Sequence, residues 1–133
     1  MEIRYTSEKC YTQEQLQALF QSVQWISANY PERLIKALSN CETVFTAWDG
    51  EKLVGLVNAI DDGELTAYVH YLCINPQYQG RGIGKHLLEL VKEKYADYLY
   101  LILIAEHEGV VKFYEACGLM QVQGTQVMEI QKF

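Results

Sequence analysis

Between Ile74 and Lys85 the sequence runs Ile-Asn-Pro-Gln-Tyr-Gln-Gly-Arg-Gly-Ile-Gly-Lys, and this glycine-rich turn constrains the fold more than any other segment. It joins a strand-like stretch ending at Ile74 to a helical one over Gly82 to Tyr95, where Ile83, Leu87, Leu90 and Val91 share one side. A helix start carries backbone N–H groups with no partner inside the helix and about half a positive charge, so it receives an anion well. Glycines at 80, 82 and 84 remove the Cβ atoms that would hold phosphate oxygens away, and Arg81 and Lys85 add positive charge. The segment reads as a phosphate or pyrophosphate cradle, with a solvated flexible turn as the bland alternative. Two familiar phosphate loops do not fit. His86 stands where a Walker loop needs Ser or Thr, and G-x-G-x-G is not the G-x-G-x-x-G of a dinucleotide fold.

The elements on either side set the architecture. Glu2 to Tyr5 suits a short strand; Thr12 with Gln15 is a capping box, followed by the helical stripe Leu16, Leu19, Phe20 and Val23. Pro31 opens a second helix with Leu34, Ile35 and Leu38. Thr43 to Trp48, Leu53 to Ile60 and Leu65 to Ile74 read as an antiparallel meander, its turns at Asp49-Gly50 and Asp61-Asp62-Gly63. After the glycine-rich helix, the apolar run Leu99 to Ala105 predicts a strand covered on both faces. Glu108 to Cys117 predicts a helix stopped by Gly118, and Leu119 to Gln123 and Gln126 to Gln131 predict two last strands. The expected fold is therefore a mixed α/β (α+β) sheet flanked by helices, in the order βααβββαβαββ, with residues 1–133 as one domain.

Composition narrows the function classes. Eleven basic against seventeen acidic residues give a net charge of −6, which argues against a nucleic-acid or anionic-membrane binder. No apolar run approaches the ~20 residues of a membrane span, and Met1-Glu2-Ile3-Arg4 lacks a secretory layout. Cys10, Cys41, Cys73 and Cys117 are far apart and have no zinc spacing, so reduced thiols, no metal and a cytoplasmic location are expected.

Gln79-x-x-Gly82-x-Gly84 resembles the acyl-CoA pyrophosphate loop of the GNAT superfamily of N-acetyltransferases. Asn75-Pro76 ahead of it and Phe113-Tyr114-Glu115-Ala116-Cys117-Gly118-Leu119, similar to the family's second signature, extend the resemblance. With the element order it covers nearly the whole chain, most specifically from Tyr68 to Leu119. It implies acetyl-CoA as co-substrate, held at the pyrophosphate by backbone amides of Gln79, Gly80, Arg81, Gly82, Ile83, Gly84 and Lys85. It also implies that the pantetheine arm pairs with Leu72, Cys73 and Ile74, in a wedge where this bulged strand diverges from Leu99 to Ala105. A bulge N–H in the Leu72 to Ile74 stretch would face the thioester carbonyl. The family's Asn seven residues before the tyrosine is replaced here by His107, which retains hydrogen-bonding capacity, and its following Ala by Val110.

Acyl transfer to an amine needs a base to leave the amine neutral and an acid for the departing thiolate. Thr66, Tyr68 and His70 share one strand face by period two, with Leu65, Ala67, Val69 and Tyr71 on the other. His70 is the preferred base because its ordinary pKa of ~6.5 lies near working pH. Tyr68 matches equally by register, Glu64 is a more remote candidate, and a merely hydrogen-bonding His70 is the alternative. The stripe Val110, Phe113, Tyr114 and Cys117 turns Tyr114 inward, as either a core tyrosine or the acid that the resemblance implies; Cys117 reads as a buried thiol. Trp25 and Tyr30 resemble the region that shapes the acceptor pocket, or else close the core; Tyr68, Tyr71 and His70 are candidates for its floor. The expected partner is a small-molecule or peptide amine, with a homodimer through the last strands as a further expectation. A non-catalytic acyl-CoA-binding module is the competing reading.

Overall fold

Local signals in the sequence become element boundaries in the computed structural model, which describes residues 2–133. Met1, where the leader reading began, lies outside the described residues. After β1 (Arg4–Thr6), α1 (Gln13–Ser22) starts at the predicted capping box. There Gln15 N donates to Thr12 Oγ1 at 3.1 Å and Thr12 N donates to Gln15 Oε1 at 2.8 Å. A 3-10 turn over Ile26–Asn29 leads to α2 (Pro31–Ser39), whose first residue is the proline. The meander follows as β2 (Thr43–Asp49), β3 (Lys52–Asp61) and β4 (Thr66–Ile74). Its second turn is closed by Asp62, whose Oδ1 accepts from the N–H groups of Glu64, Leu65 and Thr66. Then come α3 (Ile83–Lys94) and β5 (Tyr100–Leu103).

The sheet runs β1-β2-β3-β4-β5, antiparallel through β4, with β5 parallel to β4. Helices cover both of its faces. Leu16, Leu19, Phe20, Leu34 and Leu38 of α1 and α2 are buried with Val44, Trp48, Leu56 and Cys73. Ile83, Leu87 and Val91 of α3 are buried on the other face, with Val54, Val57, Ala59, Ala67 and Val69. Each large apolar side chain so buried contributes roughly 1.5–3 kcal/mol before ordering entropy is subtracted. Gly55 leaves room for the start of α3. A Cβ there would meet Ile74 Cδ1 at 3.1 Å and Ile83 Cγ2 at 3.2 Å, so the missing side chain lets the first residue of α3 close on the last residue of β4.

Two expectations are corrected. The run Leu99 to Ala105 is not covered on both faces. β5 is only Tyr100–Leu103; Leu101 and Leu103 pack toward α3, while Leu99, Tyr100, Ile102 and Ile104 are exposed. It is an edge strand, and its apolar outer face mimics the composition of a buried one.

Residues Ile104–Phe133 form a second compact unit. It contains α4 (Glu108–Ala116), ended by Gly118 at φ +95, with Gly118 N donating to Glu115 O and Leu119 N to Tyr114 O. Among the described residues no strand follows α4, so the strands predicted at Leu119 to Gln123 and Gln126 to Gln131 are absent. Met120 and Val122, like Met128 and Ile130, alternate as a strand would, yet all four are exposed. Alternation shows only which side chains share a face; a strand also needs ladder partners for its backbone. Among the described residues no helix is long and apolar enough to cross a membrane.

Candidate active site

β4 pairs with β3 from Ala67 opposite Asp61 to Ile74 opposite Gly55. With β5 it pairs only from Thr66 opposite Tyr100 to Val69 opposite Leu103. The two parallel strands therefore share a ladder at one end, and the last five residues of β4 lie beyond it. The parting coincides with a bulge. Val69 faces Ala59 and Tyr71 faces Asn58, which makes His70 the extra residue.

The bulge reverses the alternation of the strand. Before it, Ala67 and Val69 point into the core under α3; after it, Leu72 and Ile74 pack on that side and Cys73 points under α1. This corrects the period-two grouping of Tyr71 with Leu65, Ala67 and Val69. Tyr71 lies on the α1 face, and the bulge falls at His70 and Tyr71 rather than within Leu72 to Ile74. Tyr71 N donates to Asn58 Oδ1 at 2.9 Å, and Asn75 N, four residues on, donates to Val54 O at 2.9 Å. Both bonds point to β3. Strand alternation therefore turns the N–H groups of Leu72 and Ile74 to the opposite edge, past the end of β5. The Cys73 thiol is fully buried, and burial pushes its pKa up to about 12; its backbone N–H, like those of Tyr71 and Asn75, is turned to β3, so Cys73 offers the open edge no polar group.

At the end of this edge stands the glycine turn. Asn75 Oδ1 accepts from Gln77 N at 2.9 Å, and Gln79 Nε2 donates to Ile74 O at 3.1 Å, tying the turn back to β4. Gly80 and Gly82 have φ of +80° and +82°, and a Cβ at either would meet no atom within 4 Å. The conformation disfavours side chains, and the open space beside it leaves room for a ligand. Gly82 caps α3 without a side-chain bond, so the amides of the first turn, Ile83, Gly84 and Lys85, follow directly from the turn. Arg81 and Lys85 are exposed. These groups suit a pyrophosphate.

Three residues missed from the sequence brace the turn. Tyr78 Oη donates to Asp49 Oδ2 at 2.6 Å, which pushes the Tyr78 pKa up. The guanidinium of Arg81 and the ammonium of Lys52 lie 5.2 and 5.4 Å from the centre of the Tyr78 ring. Tyr78 is in the turn itself, but Asp49 and Lys52 come from the β2–β3 hairpin, and nothing local linked them to it.

On the α1 side of the bulge the predicted floor residues form an aromatic row. The His70 ring stacks on Tyr71 at 3.9 Å and on Tyr68 at 5.7 Å. Trp25 stacks on Tyr71 at 5.6 Å, Phe20 meets Tyr71 edge-on, and Ser27 Oγ shares a 2.6 Å hydrogen bond with Tyr71 Oη. His70 is exposed, while Trp25, Tyr68 and Tyr71 are half-buried. Tyr30 stands apart from this row, exposed at the start of α2 with Arg33 over its ring. Glu64 lies six residues before His70, about 20 Å along an extended chain.

In the second unit, His107 is the residue before α4, and its Nδ1 lies where a Cβ on Gly109 would come within 3.0 Å. Val110, Phe113 and Tyr114 are half-buried and Cys117 is buried, as the stripe predicts. Burial, followed by Glu106 and Cys117, raises the pKa of Tyr114, so it keeps its proton through the neutral range.

A mixed sheet whose parallel pair parts beside a positive-φ glycine turn defines a class of site in which an open strand edge leads to an anion-receiving helix start. The chain belongs to the acetyltransferase (GNAT) family, whose pattern matches residues 4–119. It is 30% identical over 109 residues to an uncharacterized N-acetyltransferase of Prochlorococcus marinus, a match covering 78% of this chain and 60% of that one. It is 29% identical over 127 residues to one of Pyropia yezoensis, covering 90% and 71%. The chain thus spans about 60% of the first of these relatives. Among solved structures, a GNAT-family acetyltransferase from Streptococcus pneumoniae superposes with a TM-score of 0.85 at 27% identity, covering 99% of this chain and all of that one. A probable acetyltransferase of Staphylococcus aureus shares the fold, with a TM-score of 0.87 at 24% identity over 98% of this chain and all of that one. The expected family and the mixed, mostly antiparallel fold are borne out.

Proposed function

We propose that the protein is an acetyl-CoA-dependent N-acetyltransferase that acetylates a primary amine by direct attack within a ternary complex. The observation that carries this reading is the parting of β4 from β5 after Val69 and Leu103, beside the positive-φ turn at Gly80 and Gly82. The turn amides and Arg81 and Lys85 receive the pyrophosphate, and the outward N–H groups of Leu72 and Ile74 serve the pantetheine arm and the thioester oxygen. Bound there, acetyl-CoA supplies an acyl carbon already activated as a thioester.

The remaining work falls to side chains. His70 takes the proton from the amine as its nitrogen forms the new C–N bond. The C–S bond breaks, and the sulfur takes a proton from Tyr114, whose raised pKa keeps that proton available. Trp25, Tyr68 and Tyr30 shape the acceptor side, and His107 replaces the family's asparagine at the coenzyme. The net charge of −6 favours cationic acceptors, weakly at physiological salt. Calorimetric titration with acetyl-CoA, followed by thiol release against aralkylamines, polyamines and peptide amines, tests the reading. Binding plus turnover with one amine class is expected. Binding with silence throughout would make the chain an acyl-CoA-binding module, and no binding would remove the site.

A further inference from the structure

We infer that Asn58 is the positioning residue of this active site, because its carboxamide holds the β4 bulge that sets which groups face the β4–β5 split. The inference rests on the proposed acetyl transfer and goes one step behind it.

Asn58 is the one carboxamide in an otherwise apolar stretch from Leu53 to Ile60, and only 3% of it is exposed. A buried amide among aliphatic side chains is costly unless its polar atoms are satisfied. Here they are: Oδ1 accepts from Tyr71 N at 2.9 Å and Nδ2 approaches Cys41 Sγ at 3.5 Å. The first bond falls at the register slip, where Asn58 faces Tyr71 and the next β3 residue, Ala59, faces Val69. A bulge disrupts the local ladder. Asn58 supplies from its side chain an acceptor for Tyr71 N at that point, and so fixes which residue of β4 is the extra one.

Three features follow from that choice. His70 is left as the extra residue, exposed, with its ring against Tyr71. Tyr71 is turned to the α1 face, where it meets Trp25 and Ser27. Leu72 and Ile74 then present their N–H groups to the edge beyond β5. A regular ladder without the slip would shift all three by one residue and send each to the opposite face. Asn58 itself touches none of the reacting atoms; it acts through the backbone of Tyr71.

The test uses the full chain, with Asn58→Leu to remove the acceptor and Asn58→Asp to keep an oxygen in its place. Asn58→Leu should lower kcat by about tenfold to a hundredfold, since small misplacements of reacting groups cost that much. Its acetyl-CoA affinity by calorimetry should fall far less, by no more than about fivefold, because the N–H groups of Leu72 and Ile74 shift while the glycine turn that receives the pyrophosphate is untouched. Asn58→Asp should recover most of the rate. A loss of affinity matching the loss of rate, or an unchanged kcat, would overturn the assignment. Amide exchange on the wild-type protein gives an independent reading that needs no turnover and no variant. Tyr71 N–H should be protected like its ladder neighbours, and fast exchange there refutes the pin even if Asn58→Leu fails to fold. Turnover absent from the wild type would instead count against the acetyl-transfer reading alone.

Discussion

Over Thr66–Val69, β4 has a strand on each side; over His70–Ile74 it keeps β3 and has lost β5. The first half buries Ala67 and Val69 in the core under α3 and is closed at its start by the Asp62 turn. The second half starts at a bulge and ends at the glycine turn, with backbone N–H groups turned to an edge that has no strand on it. Apart from Thr66 in the first half and His70 and Cys73 in the second, both are mixtures of tyrosine and aliphatic residues. The difference lies in the ladder. Where backbone groups are all used by neighbouring strands, the segment can only stabilise; where one edge is open, it can bind. Changes in the second half should therefore strike ligand binding or rate, and changes in the first half, Tyr68 beside His70 excepted, should strike stability.

The largest effect is expected at the end of the second half. Gly82→Glu places a side chain where φ is +82° and puts a carboxylate into the space that an anion needs. Acetyl-CoA affinity should fall at least about a hundredfold by calorimetry, while the left-handed backbone costs roughly 1–2 kcal/mol of stability. Unchanged affinity would break the comparison at once. Next comes the proton chemistry. His70→Ala should lower the rate by about a hundredfold and remove the acidic limb of the pH–rate profile. An unaltered limb moves the base elsewhere, first to Glu64. Tyr114→Phe should cost a similar factor in kcat with acetyl-CoA affinity held within about twofold, and its loss should be constant from pH 6 to 8, since burial holds the Tyr114 pKa above its ordinary 10. Equal activity would return Tyr114 to a packing role.

The same comparison shows why one half was easier to read than the other. Hairpin turns, the capping box and the glycine turn are local, and each is written in residues that allow few conformations: Asp49-Gly50, Thr12 with Gln15, Gly80 and Gly82. The order of elements up to α4 was legible for that reason. The bulge was not, because a register slip belongs to two strands at once and no glycine marks it. One signal was present, the lone Asn58 in an apolar strand, whose buried amide demands a partner that a regular ladder does not require. Composition misled at β5 and after Gly118. Leu99 to Ala105 has the content of a buried strand but lies at an edge, and Leu119 to Gln131 alternates without a ladder. The brace of Asp49, Lys52 and Tyr78 unites residues up to 29 positions apart, which no spacing rule connects.

The smallest effect is expected in the first half, and it sharpens the contrast because it should leave turnover alone. Asp62 accepts three backbone N–H groups, from Glu64, Leu65 and Thr66, and these hold its carboxyl below the ordinary value of 3.8. A carboxylate favoured in the folded state adds stability above its unfolded pKa, and that stability disappears as pH falls through the lower, folded value. The side chain is solvent-exposed, so the contribution is modest. Asp62→Ala should therefore lower the Tm slightly at pH 7, and the gap from wild type should narrow as the pH drops below 3.8. Acetyl-CoA affinity and kcat at neutral pH should not move. A change in either would mean that the turn before β4 reaches the split after Val69, and the two halves of the strand would then be one functional unit.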